Sequence, residues 1–283
     1  MRWMITGAAG MVGKELVAAA TALGEPFAAF GRDDLDIRDR EAVLSAARAC
    51  RPEVIINSAA FTKVDECEVR QDEAAEINGA AVAHLAAAAN ETGARLIQIS
   101  TDFVFDGSAQ HPYEPEDPVD PISVYGSSKL MGEREASRAH RSLIVRTSWV
   151  FGKGGPNFVE AVRGQVAAGR TKLRVVNDQR GRPTYARHLA MALIDLAREA
   201  PEDARIVHYA DAPDCTWYDF AVEIIRRIAP SVRVDPVSTD QFPRPARRPA
   251  WSVLSTRRYE EITGRKPMSW AAGLDEYFAM TRE

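Results

Sequence analysis

Along the first half of the chain short apolar runs alternate with helical stretches, and this order restricts the possible folds more than any other feature. Residues 2–6, 27–30, 54–58 and 95–100 read as strands, separated by helices at 14–23, 39–50 and 72–92. In the first helix Leu16, Val17 and Ala20 share one face. Parallel neighbours need a crossover between them and a helix supplies one, so the succession implies a parallel sheet covered on both sides. The runs 54–57, 96–99 and 143–145 are predominantly apolar instead of alternating, as expected of strands buried on both faces.

The first strand leads straight into a glycine loop, Thr6, Gly7, Ala8, Ala9, Gly10, Met11, Val12 and Gly13. Glycine lets the backbone turn sharply there and lets phosphates approach the N–H groups of a helix N-terminus, where the helix dipole favours an anion. The spacing is GxxGxxG, and its place between strand and helix, more than the glycines alone, marks a dinucleotide pyrophosphate site. Gly7, Gly10, Met11, Val12 and Gly13 are the expected contacts. A site for NAD usually ends its second strand in an acid that bonds the ribose 2′-hydroxyl. Here that strand ends Phe30, Gly31, Arg32, and a guanidinium suits a 2′-phosphate. NADPH is therefore expected, with NADH still compatible because Asp33 and Asp34 weaken the positive field. Asp36 and Ile37 are expected near the adenine, Ala59 and Ala60 against the cofactor, and Thr62 within bonding reach of it.

After Trp149 the pattern changes. Loops at 152–156 and 181–183 flank a helix at 157–168 and a strand at 172–176, which opens a second lobe. A helix at 183–199 and a strand at 206–209 return to the sheet before the chain leaves again near Asp211. The remainder carries a helix at 217–228, a strand at 232–236 and a loop at 243–249 rich in proline and arginine. The expected architecture is a Rossmann-type doubly wound parallel sheet over residues 1–150, rejoined by about 185–212. A smaller, interleaved α/β substrate-binding lobe is expected from 151–184 and 213–283.

A net charge of -4 argues against a nucleic-acid or anionic-membrane surface, either of which needs a cationic face. Cys50, Cys67 and Cys215 are too scattered for a disulfide framework or zinc cluster, no metal site is expected, and a reducing cytoplasm fits them. The strand and glycine loop begin too early to leave room for a signal peptide, and no apolar run approaches the roughly 20 residues of a spanning helix. A soluble cytoplasmic protein is expected.

Tyr125 and Lys129 form a YxxxK pair, which a helix stacks one turn apart on one face. Upstream, Ser100, Thr101 and Asp102 stand at the C-terminal end of a central strand, the edge at which open α/β sheets bind ligands. Reducing a carbonyl requires a proton at oxygen as hydride reaches carbon, and a free tyrosine, with its pKa of about 10, is a reluctant donor. The Lys129 ammonium is expected to lower that pKa, to stabilise tyrosinate and to bond the nicotinamide ribose. A neighbouring hydroxyl would hold the substrate oxygen against Tyr125. Thr101 is the expected one, but side chains alternate along a strand, and the sequence leaves Ser100 open as the alternative. Ser100, Tyr125 and Lys129 are also expected to border the cofactor.

These residues resemble the dTDP-4-dehydrorhamnose reductases, extended short-chain dehydrogenases/reductases. The likeness is carried by ITGAAGMVG at 5–13, NSAAFTKVDECE at 57–68, STDFVFDG at 100–107, residues 125–129, RTSWVF at 146–151, Asn157 with Phe158, NDQRGRPT at 177–184 and RPAWSVL at 248–254. It spans nearly the whole chain and reaches into the second lobe, which makes it more specific than the glycine loop. The resemblance implies that Thr101, Tyr125 and Lys129 carry catalysis, with hydride passing from NADPH to C4 of dTDP-6-deoxy-L-lyxo-4-hexulose. Thr101, Asp102, Phe105, Trp149, Asn157, Phe158, Arg248 and Ser252 are the residues expected to meet the dTDP-sugar. An aromatic wall suits thymine and a guanidinium suits a diphosphate.

The chain departs from the family's pattern where Phe103 replaces a frequent tyrosine and Trp251 a frequent asparagine, the latter adding bulk beside the presumed diphosphate site. Some members dimerise through magnesium held by glutamates, but Arg187 stands at one such position and would repel the ion. A monomer or a homodimer without a bridging metal is expected. Two other functions fit the same residues: another nucleotide-sugar ketoreductase, epimerase or dehydratase, and a non-catalytic regulatory subunit of the methionine adenosyltransferase type.

Overall fold

The computed structural model describes residues 1–281. Its first half runs β1 (Trp3–Thr6), α1 (Met11–Ala22), β2 (Phe27–Phe30), α2 (Arg40–Cys50) and β3 (Val54–Asn57). Two short helices follow, α3 (Val64–Cys67) and α4 (Gln71–Ala75), then α5 (Val82–Thr92), β4 (Arg95–Thr101), α6 (Val124–Ala136) and β5 (Ser142–Thr147). The second half contains β6 (Val150–Phe151), α7 (Phe158–Ala167), β7 (Lys172–Val176), β8 (Arg180–Gly181), β9 (Thr184–Tyr185), α8 (Ala186–Glu199) and β10 (Ile206–His208). It ends with β11 (Cys215–Thr216), α9 (Trp217–Ile228), β12 (Arg233–Val237), α10 (Arg257–Thr263) and α11 (Trp270–Met280).

Six strands form one sheet in the order β10-β5-β4-β3-β1-β2, every pairing parallel. The buried faces of β1, β3 and β4 pack in two layers. On one side α1 and α8 cover Trp3, Ile5, Val54, Ile56 and Ile97, and on the other α2 and α5 cover Met4, Ile55 and Leu96. Adjacent residues of each strand thus enter opposite cores, the period of two that an uninterrupted apolar run conceals. Because β2 lies on one side of β1 and β3 on the other, the connections diverge between β1 and β3, and their C-terminal ends open a crevice there. A third core joins α7, α9 and α11 through Phe151, Val159, Phe220, Ile224, Leu274 and Tyr277. Beside it β7 and β12 pair in parallel.

Among the differences from the expectation, three bear on how the lobes meet. The helix expected over 72–92 is broken by a π-helical turn at Glu76–Ala80. That turn lies against α6 so closely that a Cβ on Gly132 would sit 2.1 Å from the Asn78 carbonyl oxygen. The turn directs the Asn78 side chain to the Phe61 N–H at 2.7 Å and to the Ser128 hydroxyl at 3.0 Å, tying α6 to the loop after β3. The helix expected from 183 starts at Ala186, since Thr184 and Tyr185 pair with β6. Finally, α10 and α11 were not anticipated, and Tyr259 of α10 sits in the core beneath α8. The chain therefore crosses back to the large sheet within 213–283, a return the expected division into lobes lacks.

Candidate active site

A cavity of 840 Å³ opens at the C-terminal ends of the central strands and reaches the second lobe. A smaller one of 380 Å³ continues past the end of β2, and Gly10, Ser58, Ala59, Ala60 and Thr62 border both, so the two form one groove. Its glycine end is closely built. Gly7 has φ +69°, and a Cβ there would stand 2.5 Å from the Ala59 nitrogen; one on Gly13 would stand 2.2 Å from the Gly7 carbonyl oxygen. Among the described residues no side chain caps the N-terminus of α1, whose first residues, Met11 and Val12, border the groove with Gly10 and Gly13. Donors unclaimed by a cap and backbone with no Cβ in the way fit a pyrophosphate.

Arg32, Asp36 and Ile37 border the smaller cavity. Arg38, which sequence reasoning missed, borders it too. Its Nε bonds both Asp36 carboxylate oxygens at 2.9 and 3.0 Å, and this guanidinium holds the Asp36 carboxyl at about 2. The signal was present as an arginine two residues beyond Asp36, but only the turn between them shows that both reach the groove.

Tyr125 and Lys129 lie in the first turns of α6, which begins where the Ser123 hydroxyl accepts the Gly126 N–H at 3.2 Å. Both border the larger cavity with Thr101. The Thr101 hydroxyl donates to Asp102 Oδ1 at 2.9 Å, accepts the Phe103 N–H at 3.2 Å and lies beside the Tyr125 phenol. Ser100 also borders the cavity, but its hydroxyl donates to Glu133 Oε1 at 2.5 Å. Strand alternation thus leaves Thr101 as the hydroxyl at the phenol. Lys129 Nζ donates to the Ile99 carbonyl at 2.7 Å, and burial lowers its pKa to about 8 against the opposing pull of Glu133.

The phenol itself runs against expectation. Burial, and then the Asp102 carboxylate, push the Tyr125 pKa above its ordinary value, and Lys129 is not among the groups that offset this. Desolvation dominates because the ammonium is turned to a backbone carbonyl. Tyr125 therefore holds its proton firmly, as a neutral donor. Asp102 is enclosed as well; burial raises it to about 6, and its Oδ2 has no hydrogen-bond partner among the described residues.

In the second lobe Trp149, Asn157, Phe158 and Arg248 border the cavity. Trp149 holds φ +46°, an uncommon conformation for a bulky residue, and its ring stacks on Trp217 at 3.6 Å and 8°. The Asn157 side chain caps α7 and donates to the Gly152 and Gly155 carbonyls at 2.9 and 3.1 Å, so it shapes the loop with bonds already formed. Arg248 pairs with Asp65 at 2.9 Å, and its guanidinium lies 5.9 Å from the centre of the Phe103 ring, which meets Tyr125 edge-on.

Two expected contacts are corrected. Phe105 is wholly buried, stacked on Tyr113 at 4.0 Å, and does not border the cavity, because its side of the turn faces the core with Leu254. Ser252 is 1% exposed and does not border the cavity; its hydroxyl lies beside the buried Asp102 carboxylate and close to Gly181. Trp251 adds no bulk to the cavity either; its indole N–H donates to the His111 carbonyl at 2.8 Å. Trp217 and Asp65, both on the cavity wall, were missed, since no motif contains Trp217 and only the pairing with Arg248 distinguishes Asp65. Arg187 pairs with Glu15 at 3.3 Å, and the described residues contain no group of three potential metal ligands. No helix among them is long and apolar enough to cross a membrane.

Gly181 gives this wall a specific test. A Cβ there would lie 2.6 Å from Trp149 Cε2 and 2.8 Å from the Ser252 oxygen, so Gly181→Ala must displace the indole. The variant is expected to unfold at about 1–3 kcal/mol less stability by urea titration, the usual cost of overpacking. An unchanged transition would show that the ring yields freely.

A family model described as the RmlD substrate binding domain matches residues 1–283. A dTDP-4-dehydrorhamnose reductase of Streptomyces griseus is 41% identical over 284 residues, covering 98% of this chain and 93% of its own. A probable dTDP-4,6-dihydroxy-2-methyloxan-3-one 4-ketoreductase of Streptomyces antibioticus is 40% identical, with 98% and 95% covered. Among solved structures, dTDP-4-dehydrorhamnose reductase of Bacillus anthracis in complex with NADP superposes with a TM-score of 0.92 at 35% identity, covering 99% of each chain.

Proposed function

The chain belongs to the RmlD substrate binding domain family, and on that premise we propose that it reduces the C4 keto group of a dTDP-4-keto-6-deoxy sugar with NADPH, converting dTDP-4-dehydro-L-rhamnose to dTDP-L-rhamnose. The observation that carries this reading is the meeting of Thr101, Tyr125 and Lys129 at one edge of a glycine-built groove whose far wall comes from the second lobe. NADPH, when bound, supplies the hydride. Gly7, Gly10, Met11, Val12 and Gly13 would receive its pyrophosphate, and Arg32, which has no carboxylate partner among the described residues, its 2′-phosphate.

Tyr125 gives its proton to the ketone oxygen. Its raised pKa makes this donation costly, because Lys129 Nζ is held by the Ile99 carbonyl and does not offset the burial; the tyrosinate that forms needs that ammonium, one helical turn away, to swing toward it. Thr101 lies beside the phenol with its proton on Asp102, and turning that proton to the Tyr125 oxygen would steady the tyrosinate as it forms. Trp149, Phe158 and Arg248 line the part of the cavity that would take the nucleotide.

The test is to supply NADPH with the 4-keto intermediate generated in place from dTDP-glucose, to follow NADPH absorbance and to identify the sugar formed. Stoichiometric oxidation with dTDP-L-rhamnose as product is expected; no oxidation with any 4-keto sugar would overturn the reading. Lys129 adds a pH dependence. Its pKa is lowered from 10.5 to about 8, so the ammonium is present below that pH and lost above it. kcat/KM is expected to fall as pH rises through about 8, and a profile flat to pH 10 would exclude a required ammonium.

A further inference from the structure

The chain contains five tryptophans. Three have their indole N–H on a protein acceptor: Trp3 on the Glu25 carboxylate, Trp251 on the His111 carbonyl at 2.8 Å and Trp270 on the Pro213 carbonyl at 2.7 Å. Trp149 and Trp217 have none among the described residues, and neither nitrogen is among the sealed, unpartnered polar atoms of the interior. Both N–H groups are therefore reachable, and both residues border the larger cavity. An indole N–H can only donate, so in a cavity it selects an oxygen.

The pair is also immobilised. The two rings cover one broad face of each other at 3.6 Å, Gly181 backs Trp149, and Phe158 flanks Trp217 at 4.6 Å and 49°. Trp217 opens α9, where the Thr216 hydroxyl and the Asp219 carboxylate exchange the two bonds of a capping box. A donor so held loses little freedom when a ligand binds.

We infer that Trp217 is a substrate-recognition residue whose indole N–H donates to an oxygen of the nucleotide sugar. The inference rests on the function proposed above for its choice of ligand. Trp217→Phe retains a ring in the stack and removes the donor, so it separates recognition from packing. The affinities of wild type and variant for dTDP and for dTDP-L-rhamnose are to be measured by calorimetry, with thermal melting to check that the variant is folded.

About tenfold weaker binding of at least one compound is expected, with KM raised in proportion, kcat kept and NADPH affinity unchanged, as for the loss of one well-placed hydrogen bond. Weaker binding of both compounds assigns the acceptor oxygen to the nucleotide, and weaker binding of dTDP-L-rhamnose alone assigns it to the sugar; either supports the inference. Wild-type affinity for both overturns it, even if Trp217→Ala binds weakly, because the residue would then only pack. Wild-type protein that binds neither compound overturns it too. If the wild type oxidises no NADPH with any ketosugar yet Trp217→Phe weakens dTDP binding, the proposed reaction fails while this recognition stands.

Discussion

Replacing Tyr125 by phenylalanine is expected to lower kcat by roughly a hundredfold to ten-thousandfold, the range that a positioned acid contributes. NADPH affinity and the melting temperature should stay close to wild type. The hydroxyl is the one polar atom removed, and the ring keeps its edge-on contact with Phe103 at 5.6 Å. Burial and Asp102 keep the phenol protonated, so the change removes no charge from the interior. Single-turnover reduction with NADPH already bound isolates the chemical step from binding. Turnover within threefold of wild type would sink the assignment of Tyr125 as acid and leave the ketone oxygen to be protonated by another group.

The parts of this arrangement that were legible in the sequence are those fixed by local patterns. The apolar runs at 54–57 and 96–99 could only be strands covered on both sides, and the spacing of Tyr125 and Lys129 on a helix needs no knowledge of the rest of the chain. What escaped depends on contacts distant in sequence. The π turn at Glu76–Ala80 exists because Asn78 must reach Phe61 and Ser128, and no propensity in that alanine-rich stretch announces it. Phe105 resembles a binding residue in its motif, yet Tyr113 and Leu254 enclose it. The direction of the Tyr125 shift was misjudged for the same reason. One-turn spacing brings the ammonium close, but where Nζ points is decided by the Ile99 carbonyl on a neighbouring strand.

Glu133→Ala is expected to be the most destabilising single change near the site, by about 3–5 kcal/mol in urea unfolding, because it strands a buried guanidinium. Glu133 and Arg146 are 4% and 3% exposed, so solvent cannot take over the lost contact. Arg146 gives Nε to Glu133 Oε1 at 2.9 Å and Nη2 to Oε2 at 2.8 Å, and Ser100 donates to Oε1 as well. His208 offers the guanidinium no compensation: burial and Arg146 itself lower its pKa to about 3, so it is neutral and bonds weakly at 3.5 Å. Replacing both partners by apolar residues, Glu133→Leu with Arg146→Met, should recover most of the loss, since no charge is then left unpaired. A single variant that unfolds like wild type would mean that water reaches Arg146. The same carboxylate raises the Lys129 pKa against its burial, so its removal lowers that pKa below about 8. In the folded fraction of Glu133→Gln the alkaline fall in kcat/KM should therefore move to lower pH, a shift that a purely structural role would not produce. The pair beneath the helix thus both supports the sheet and raises the pKa of Lys129 against its burial.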